Sequence, residues 1–343
     1  MGATPSRDVT ISVIAAEAGV SAPTVSRVLN GRGDVAPATR ERIETLLRTH
    51  GYRRRGSRPK ERVGLLDLVF NDLDSPWAVE IIRGVENAAH QSGAGVVVSA
   101  IHREADSTLQ WLDNVRARVS DGAILVTTRL EPELNEELRS LDVPAVVIDP
   151  VGIPDLTTPT IGATNWAGGL SATEHLIHLG HRRIAFVEGR PELWCSRARL
   201  DGYRAGLETA GLTVDPDLIA PAEFTYESGF RAGESLFDRD ERPTAVFVSS
   251  DQMALGVYEA LRQRGLRVPE DVSVVGFDDL PEARWSSPPL TTVRQPLADM
   301  GRLAVRTVQR LVQNETIESS RVELATGLIV RHSTGRAPEP ETG

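Results

Sequence analysis

The sequence predicts two structural units: an N-terminal all-α helix-turn-helix headpiece, and an α/β body made of two doubly wound parallel-sheet subdomains. Apolar residues recur at helical spacing through the first 50 residues, with a glycine between the first two helical segments. From Val63 onward, strand-length apolar runs alternate with helix-length segments, and the alternation restarts near residue 165. Such alternation is typical of parallel sheets covered by helices on both faces. Two blocks of this kind therefore predict two subdomains.

Charge is distributed unevenly along the 343 residues, whose formal net charge is −10. Residues 1–62 hold 12 Lys/Arg and 6 Asp/Glu, whereas the remaining residues hold 26 and 42. A basic head on an acidic body is expected when only the head contacts phosphate. The single cysteine, Cys195, excludes an internal disulfide, and residues 1–8 lack a signal-peptide core. Since no apolar run reaches about 18 residues, we expect a cytoplasmic protein.

Three short helices are predicted in the headpiece. Thr10 can cap the first helix, and Gly19 follows where that helix must end. Ser21 can cap the second helix, in whose first turn Pro23 is acceptable, and a third helix is predicted over residues 37–49. The apolar residues predicted to face inward are Ile11, Ile14, Ala15, Ala18, Val25, Val28, Leu29, Ile43, Leu46 and Leu47.

The outer face of the second helix carries side chains suited to reading DNA. The Arg27 guanidinium can donate two hydrogen bonds to O6 and N7 of a guanine. Thr24, Ser26 and Asn30 have the short polar side chains that bind phosphate oxygens. Two helices joined by a tight glycine-containing turn present the second helix to the major groove. The pattern alone also fits a small helical hairpin with a solvated face.

The segment VTISVIAAEAGVSAPTVSRVLNGRGDVAPATRERIETLLRTHGY resembles the headpiece of the LacI/GalR family of bacterial transcription regulators. The resemblance implies that Ala22, Pro23 and Arg27 face the bases. Because Ala22 and Pro23 have no side-chain hydrogen-bond donor, recognition there must use shape or methyl contacts. The residues that the resemblance implies will position the DNA backbone are Thr10, Thr24, Ser26, Asn30 and Thr39.

A basic segment, RRRGSRPKER, follows at residues 53–62, and we place the headpiece at residues 1–56 and the linker at residues 57–62. The family pattern is longer here and carries a leucine that inserts into the minor groove. This segment has no leucine, so we expect no such wedge and less bending of the central operator step. Its arginines either follow phosphates and a narrow minor groove or form a flexible solvated tether. The DNA-contact candidates are Arg53, Arg54 and Arg55.

Candidate ligand-binding residues in the body lie at or near the carboxyl ends of predicted strands, where such sheets bind ligands. Aromatic side chains stack on pyranose C–H faces, while carboxylates and arginines pair with hydroxyls. This combination predicts a sugar site in the cleft between the subdomains. Trp111 lies within a predicted helix and is interpreted as a core residue. The candidates by position are Pro76, Trp77, Asp149, Trp194, Arg199, Phe224, Ser250, Asp278 and Trp285.

The body also resembles the LacI/GalR family over residues 63–335, through motifs such as NWAGGLSATEHLIHLGHRRIAFVEG and VFVSSDQMALGVYEALRQRGLRVPEDVSVVGFDD. The resemblance implies a fold like that of periplasmic sugar-binding proteins, with three crossovers between the subdomains. The boundaries that we assign are residues 63–164 and 297–324 for the N-subdomain, 165–293 and 325–335 for the C-subdomain, and 336–343 for a flexible tail.

The resemblance also implies roles for individual residues of the body. Arg199 and Asp278 match the principal ligand contacts of the family, and Phe224 matches an aromatic ligand platform. Gln295 matches a contact between the subdomains. Ser250 stands where many members have asparagine, so the contact made by that asparagine is either weakened here or replaced by a different contact of the serine. The positions that vary within the family, and are therefore candidates for effector selectivity, are Trp166 and Trp285.

Other classes of protein fit the sequence less well. It contains no Walker loop, dinucleotide fingerprint or nucleophile elbow, so we expect neither an enzyme nor a cofactor. His175, His178 and His181 are spaced three apart, but Gly180 ends the helix and turns His181 off its face, so we expect no metal site. Cys195 has no identifiable histidine partner and is interpreted as a pocket or packing residue. A transport receptor fits the body but not the basic head.

Taken together, the sequence predicts a sequence-specific DNA-binding transcription regulator. We expect a homodimer, because two headpieces are needed to read a palindromic operator. The expected effector is a small neutral mono- or oligosaccharide whose binding releases the operator, which makes the protein a repressor of carbohydrate-utilisation genes. A purine or another metabolite as effector, and activation in place of repression, stay open. In the cell we expect the regulator in the bacterial cytoplasm, on the nucleoid when it is bound to DNA.

Overall fold

The computed structural model of the protein describes residues 10–29, 35–50, 63–102, 104–127, 132–151 and 158–338. The chain divides into two compact units, Met1–Arg62 and Val63–Gly343. Each unit has its own hydrophobic core, so each is described by itself. None of the helices in the described ranges combines the length and apolarity needed to cross a membrane.

The first unit contains the three predicted helices, α1 (Ile11–Ala18), α2 (Ala22–Leu29) and α3 (Pro37–Thr49). Gly19 ends α1 with φ +63°, a left-handed conformation that glycine adopts without steric cost. The core that the helices share confirms the predicted apolar pattern except at Leu29, whose side chain lies outside the part of the chain that the structure describes. Its fully or largely buried members are Ile14, Ala15, Ala18, Val25, Val28, Val35 and Ile43, and Ile11, Leu46 and Leu47 pack against them.

The two predicted N-terminal caps of the headpiece have different outcomes. The hydroxyl of Ser21 accepts a hydrogen bond from the backbone N–H of Thr24 at 3.4 Å, as expected for the cap of α2. The hydroxyls of Ser21 and Thr24 also share a hydrogen bond of 2.8 Å. Thr10 occupies the cap position of α1, but its side chain makes no cap hydrogen bond. The prediction that Thr10 caps α1 through its hydroxyl is therefore wrong.

The first lobe of the body is a six-stranded parallel sheet in the order β11-β5-β4-β3-β1-β2, with helices on both faces. One helix, α12, returns from the far end of the chain and packs against α4 and the middle of the sheet. The elements are β1 (Leu65–Phe70), α4 (Pro76–Gln91), β2 (Gly95–Ala100), α5 (Ala105–Arg118), β3 (Gly122–Val126), α6 (Pro132–Ser140), β4 (Ala145–Ile148), β5 (Thr160–Ala163), α12 (Leu297–Val312) and β11 (Arg321–Leu324).

The second lobe repeats this architecture with strand order β12-β10-β9-β8-β6-β7. All of its pairs are parallel except β10 with β12, which is antiparallel. The elements are α7 (Asn165–His178), β6 (Ile184–Val187), α8 (Trp194–Thr209), β7 (Ile219–Ala220), α9 (Tyr226–Phe237), β8 (Ala245–Val248), α10 (Asp251–Gln263), β9 (Ser273–Asp278), α11 (Pro281–Trp285), β10 (Thr291–Arg294) and β12 (Gly327–Ile329).

The chain passes between the two lobes three times, between β5 and α7, between β10 and α12, and between β11 and β12. Two of the crossing segments are hydrogen bonded to each other, because the backbone N–H of Thr326 donates to the hydroxyl of Thr164 at 2.9 Å. The Thr326 hydroxyl in turn donates to the Thr164 carbonyl at 3.1 Å. The three crossovers implied by the family resemblance are therefore present, and two of them are linked directly.

Trp111 confirms its predicted place in the core. It is 3% exposed, and its indole N–H donates to the carboxylate of Asp67 at 3.2 Å. The same fully buried carboxylate accepts from Arg118 at 2.7 Å and from the hydroxyl of Ser120. This buried charge on β1 lies within an otherwise apolar strand run and was not anticipated from the sequence. Hydrogen bonds from three donors offset the cost of removing the carboxylate from water.

Candidate functional site

The candidate DNA-binding surface is the side of α2 that faces away from the headpiece core. Val25 and Val28 are buried in the headpiece core, and Ala22, which was predicted to face the bases, is half-buried and packs against that core. Arg27 and Pro23 are exposed on that side. Thr10 is exposed at the start of α1. The other candidates within the described residues are half-buried, and they are Ala22, Thr24, Ser26 and Thr39. Asn30, Arg53, Arg54 and Arg55 lie outside the described residues.

In the body, a cavity of about 840 Å³ lies where the strands of both lobes end. Residues after β1, such as Asn71 and Trp77, line it from the first lobe, and residues after β6, β8 and β9 line it from the second. Its volume falls in the upper part of the range of about 300–1,000 Å³ that small-molecule sites occupy. Because helices begin directly after several of these strands, backbone N–H groups and side chains converge on the same space.

Arg199 of α8 is the most highly connected charged side chain of the cavity wall, and it is only 3% exposed. Its Nε donates to the amide oxygen of Asn165 at 2.9 Å, and its Nη1 donates to the carbonyl of Ser249 at 2.5 Å. The guanidinium lies 3.8 Å from the centre of the Phe277 ring, and its Nη1 is 3.9 Å from the nearer carboxylate oxygen of Asp278. These contacts fix the guanidinium in one orientation before any ligand binds.

Two buried carboxylates share the cavity with Arg199. Burial raises the pKa of Asp149 to about 6, and the positive charge of Arg199 partly opposes that shift. Burial likewise raises the pKa of Asp278 to about 7, although Arg199 and a hydrogen bond from Gln295 oppose it. Because both shifts reflect lost hydration, a ligand that supplies hydrogen-bond donors would stabilise the charged forms. Polar ligand groups are therefore favoured at this point of the cavity.

Behind these carboxylates, Gln295 and Asp251 complete a buried polar layer. Gln295 donates through Nε2 to Asp278 at 2.7 Å, while its own Oε1 is buried with no hydrogen-bond partner among the described residues. Asp251 accepts from the hydroxyl of Thr292 at 2.5 Å and from the backbone N–H of Leu280 at 2.8 Å, and burial raises its pKa. The layer holds the turn after β9, where Asp278 adopts φ +120°.

Three aromatic side chains line the cavity, Phe70 and Trp77 from the first lobe and Phe224 from the second. Trp77 lies in the first turn of α4, whose cap Ser75 accepts a hydrogen bond from the Trp77 backbone N–H at 3.3 Å. Phe224 lies in the loop between β7 and α9 with φ +65°, and its ring centre is 5.9 Å from the Arg199 guanidinium. The Phe224 ring covers Gly189, where any side chain would overlap it. A glycine at this position is what lets the ring lie against the backbone.

Comparison with known proteins places this geometry in a family. Residues 10–55 match the model described as bacterial regulatory proteins, lacI family, and residues 173–334 match a periplasmic binding protein-like domain. The chain is 34% identical over 332 residues to catabolite control protein A of Priestia megaterium, covering 95% of this chain and 99% of that protein. The chain belongs to the LacI family. Like the other members that it matches, this LacI-family protein is a DNA-binding transcription regulator.

Two solved structures extend the comparison. A complex of the transcriptional regulator CelR with cellobiose is similar to this LacI-family chain with a TM-score of 0.74 and 36% identity, covering 95% of this chain and 99% of that one. The lac repressor dimer bound to operator and the anti-inducer ONPF is similar with a TM-score of 0.71 and 29% identity, covering 96% and 100%. Both matches span the headpiece and the body, so this chain shares its two-unit organisation with both proteins.

Six of the predicted effector-site residues of this LacI-family protein come together at the cavity. They are Trp77, Asp149, Arg199, Phe224, Ser250 and Asp278. The Ser250 hydroxyl accepts a hydrogen bond from the backbone N–H of Met253 at 3.2 Å, so it caps α10 as well as lining the cavity.

The structure does not bring five other candidates to the cavity lining. The ring of Trp285, at the end of α11, is 75% exposed, and Trp166 and Trp194 are exposed at the starts of α7 and α8. Pro76 begins α4 without lining the cavity, and Gln295 lies behind Asp278. Besides apolar residues, the lining includes polar and charged residues that the sequence did not single out, and these are Asn71, Asp72, Asp74, Ser75, Thr127, Arg190, Glu192, Glu223, Thr225, Ser228, Arg231, Ser235 and Gln252.

The histidines near the end of α7 do not form a site together. In the described residues, no group of three His, Cys, Asp or Glu side chains is placed to hold a metal. His181 is fully buried and shares hydrogen bonds of 2.9 Å with the hydroxyls of Thr244 and Ser273, and burial lowers its pKa. His175 pairs instead with Thr334 at 2.9 Å. Cys195 lines the cavity, where burial raises its pKa to about 11, so the thiol is a poor nucleophile.

Proposed function

We propose that this LacI-family regulator represses carbohydrate-utilisation genes and releases its operator when a neutral oligosaccharide binds in the body cavity. The observation that carries the proposal is the buried set of Arg199, Asp149 and Asp278 between aromatic side chains contributed by opposite lobes. Carboxylates and guanidinium groups hydrogen bond to vicinal hydroxyls, while aromatic faces pack on pyranose C–H groups. The similarity to the CelR–cellobiose complex supports the same class of ligand.

The charge of the lining favours a neutral ligand over an anionic one. The lining contains twice as many carboxylates as guanidinium groups, so a phosphorylated metabolite would meet net repulsion. The carboxylates belong to Asp72, Asp74, Asp149, Glu192, Glu223 and Asp278, and the guanidinium groups to Arg190, Arg199 and Arg231. We also propose that the protein only binds its ligand, so turnover of a bound saccharide would contradict the assignment.

We assign these functions to the segments expected from the sequence. The headpiece at residues 1–56 binds DNA, the linker spans residues 57–62, and the body at residues 63–335 binds the effector. We propose a homodimer in the cytoplasm, because a palindromic operator needs two headpieces. Effector binding would change the relation of the two lobes, with a coupling free energy of about 1–3 kcal/mol between effector and operator. By linkage, operator DNA must weaken effector binding by the same factor.

A thermal-shift screen of the full chain tests the effector class. Cello- and xylo-oligosaccharides are expected to raise the unfolding temperature of the body, because a ligand at 100 times its Kd adds about 2.7 kcal/mol to the state that it binds. A hexose phosphate is the negative control. The hit must also release an operator fragment, selected from genomic DNA, in a fluorescence anisotropy assay. A shift with a purine and none with any saccharide would contradict the proposal and favour a nucleobase effector.

Arg27→Ala is expected to weaken binding to the selected operator by about 1–3 kcal/mol and to relax specificity at one base pair, because a bidentate contact to guanine is lost. Arg42→Ala is the matched control, since Arg42 is an exposed arginine of α3 outside the proposed base-reading set. Affinities are measured on the operator and on single-base variants at fixed salt. An equal loss on all sequences would make Arg27 a phosphate contact and contradict its role in base reading.

A further inference from the structure

The cavity of the body is lined by two groups of residues that meet at Phe224. The first group surrounds Arg199, Asp149 and Asp278 and contains the proposed effector site. The second group belongs entirely to the second lobe and lies after the edge strand β7 and along α9, on either side of Phe224 in the sequence. We call this second part the α9 groove, and its lining residues are Pro221, Glu223, Ser228, Arg231, Ala232 and Ser235.

The α9 face that lines the groove is held in place by packing on the opposite side of the helix. Ser228, Arg231, Ala232 and Ser235 follow the spacing i, i+3, i+4, i+7 and therefore share one side of α9. On the other side, Gly229 lies so close to α10 that a Cβ there would overlap the backbone carbonyl of Met253. Because α9 packs backbone to backbone on α10, the groove is formed before a ligand arrives.

The side chains of the groove suit a polyhydroxyl ligand. Arg231 and Ser235 are exposed to solvent and can donate hydrogen bonds, and Glu223 is an exposed acceptor. Pro221 contributes exposed apolar surface next to Glu223, whereas Ala232 is 4% exposed and anchors α9 in the core of the lobe. Donors and an acceptor beside a small apolar patch match the edges and C–H faces of a pyranose ring better than they match a single charged group.

Arg190 adds a buried hydrogen-bond donor at the junction of the two groups. It follows Gly189, on which the Phe224 ring lies, and it lines the cavity. Its Nε is buried and has no hydrogen-bond partner among the described residues. A buried N–H without an acceptor is unfavourable, so this atom marks a place where a ligand oxygen would be bound. Its position extends the polar site past the aromatic ring toward the α9 groove.

We propose that the α9 groove is a binding site for additional sugar rings, so that the preferred effector of this regulator is a neutral oligosaccharide longer than a disaccharide. The inference rests on the proposed sugar-sensing function and specifies its ligand. One or two rings occupy the space around Arg199, and the chain continues past Phe224 and Arg190. Arg231 and Glu223 then hydrogen bond to the hydroxyls of the next rings.

Isothermal titration of the full chain with cellobiose, cellotriose and cellotetraose, and with the matching xylo-oligosaccharides, tests this inference. In the unaltered protein, affinity is expected to rise at least tenfold from the disaccharide to the tetrasaccharide of the series that binds. Arg231→Ala is expected to remove that increase, so that the disaccharide and tetrasaccharide Kd values of the variant lie within about twofold of each other. Arg242→Ala is the matched control, because Arg242 is an exposed arginine of the same lobe outside the cavity lining, and it should retain the increase.

Three other outcomes would overturn the inference, and they differ in whether they also contradict the proposed sugar-sensing function. Equal affinity for all lengths would remove the α9 groove from the site but leave the proposed sugar sensor intact. An Arg231-dependent preference for a hexose phosphate over every oligosaccharide would assign the groove to an anion. No binding of any saccharide of either series would overturn the proposed function together with the inference.

Discussion

Arg199→Met is expected to weaken effector binding by about 100-fold or more and to leave a regulator that stays on its operator when the saccharide is added. The guanidinium donates hydrogen bonds to the amide oxygen of Asn165 and to the Ser249 carbonyl. It lies 3.9 Å from the nearer carboxylate oxygen of Asp278. A hydrogen bond to a charged group contributes about 1.5–3 kcal/mol, and two such bonds to ligand hydroxyls account for a loss of this size. Titration with the best saccharide measures the loss, and operator anisotropy measures retention on DNA.

The same substitution has a cost in stability that must be separated from the loss of binding. Loss of the guanidinium raises the pKa of the buried Asp278 carboxyl further above its value of about 7, so at neutral pH the carboxyl is protonated and the stability that the ion pair contributed is lost. Arg199→Met combined with Asp278→Asn removes both charges, so the double variant should recover part of that stability and still fail to bind the effector. Arg204→Met, at an exposed arginine of the same helix, should change neither property. Unchanged effector affinity in a folded Arg199→Met protein would contradict the assigned role of Arg199.

Much of the fold is predictable because local patterns and burial agree along most of the chain. In the headpiece, Ile14, Val25 and Ile43 point inward as their spacing requires, and Gly19 ends α1 where a positive φ is needed. In the body, runs such as Gly122–Val126 are buried on both sides of the sheet and therefore show as continuous apolar segments. The strand β7 has only two residues, so no such pattern marks it or the groove beside it.

The candidate site is less predictable, because its geometry depends on contacts between distant parts of the chain. Strand ends correctly indicated Asp149 and Asp278, since parallel strands present their carboxyl ends at one edge. The partners of Arg199 lie 34 and 50 residues away in the sequence, and no local pattern relates them to it. Its aromatic type, its place in a predicted loop near a strand end and its family-variable position put Trp285 in the predicted ligand site. Its actual position at the end of α11 leaves it exposed and outside the lining.

The Asp149 carboxyl is expected to stabilise the unliganded body as the pH falls from 8 to 5, and Asp149→Asn is expected to remove that contribution. Half-buried His175 and buried His181, whose pKa values are lowered, act in the opposite direction in both proteins. Burial raises the pKa of Asp149 to about 6 from a model-compound value of 3.8. The folded state therefore binds a proton that the unfolded state releases between these two values. Its contribution to stability is complete below the unfolded pKa and is lost as the pH rises through about 6.

At pH 5, one unit below the folded pKa, the Asp149 carboxyl should contribute roughly 1.4 kcal/mol that is absent at pH 8. Asp278 titrates in the same direction, with a pKa raised to about 7, and it is present in both proteins. The difference between the wild-type and Asp149→Asn pH profiles therefore reports the titration of Asp149 together with a smaller effect on Asp278. Asp149 raises the pKa of Asp278, so the substitution lowers that pKa and reduces the stabilisation at low pH further. Urea unfolding at one protein concentration, at pH 5, 6.5 and 8, measures both profiles. Parallel profiles would mean that Asp149 stays ionised across this range and that its burial is offset by hydration of the cavity.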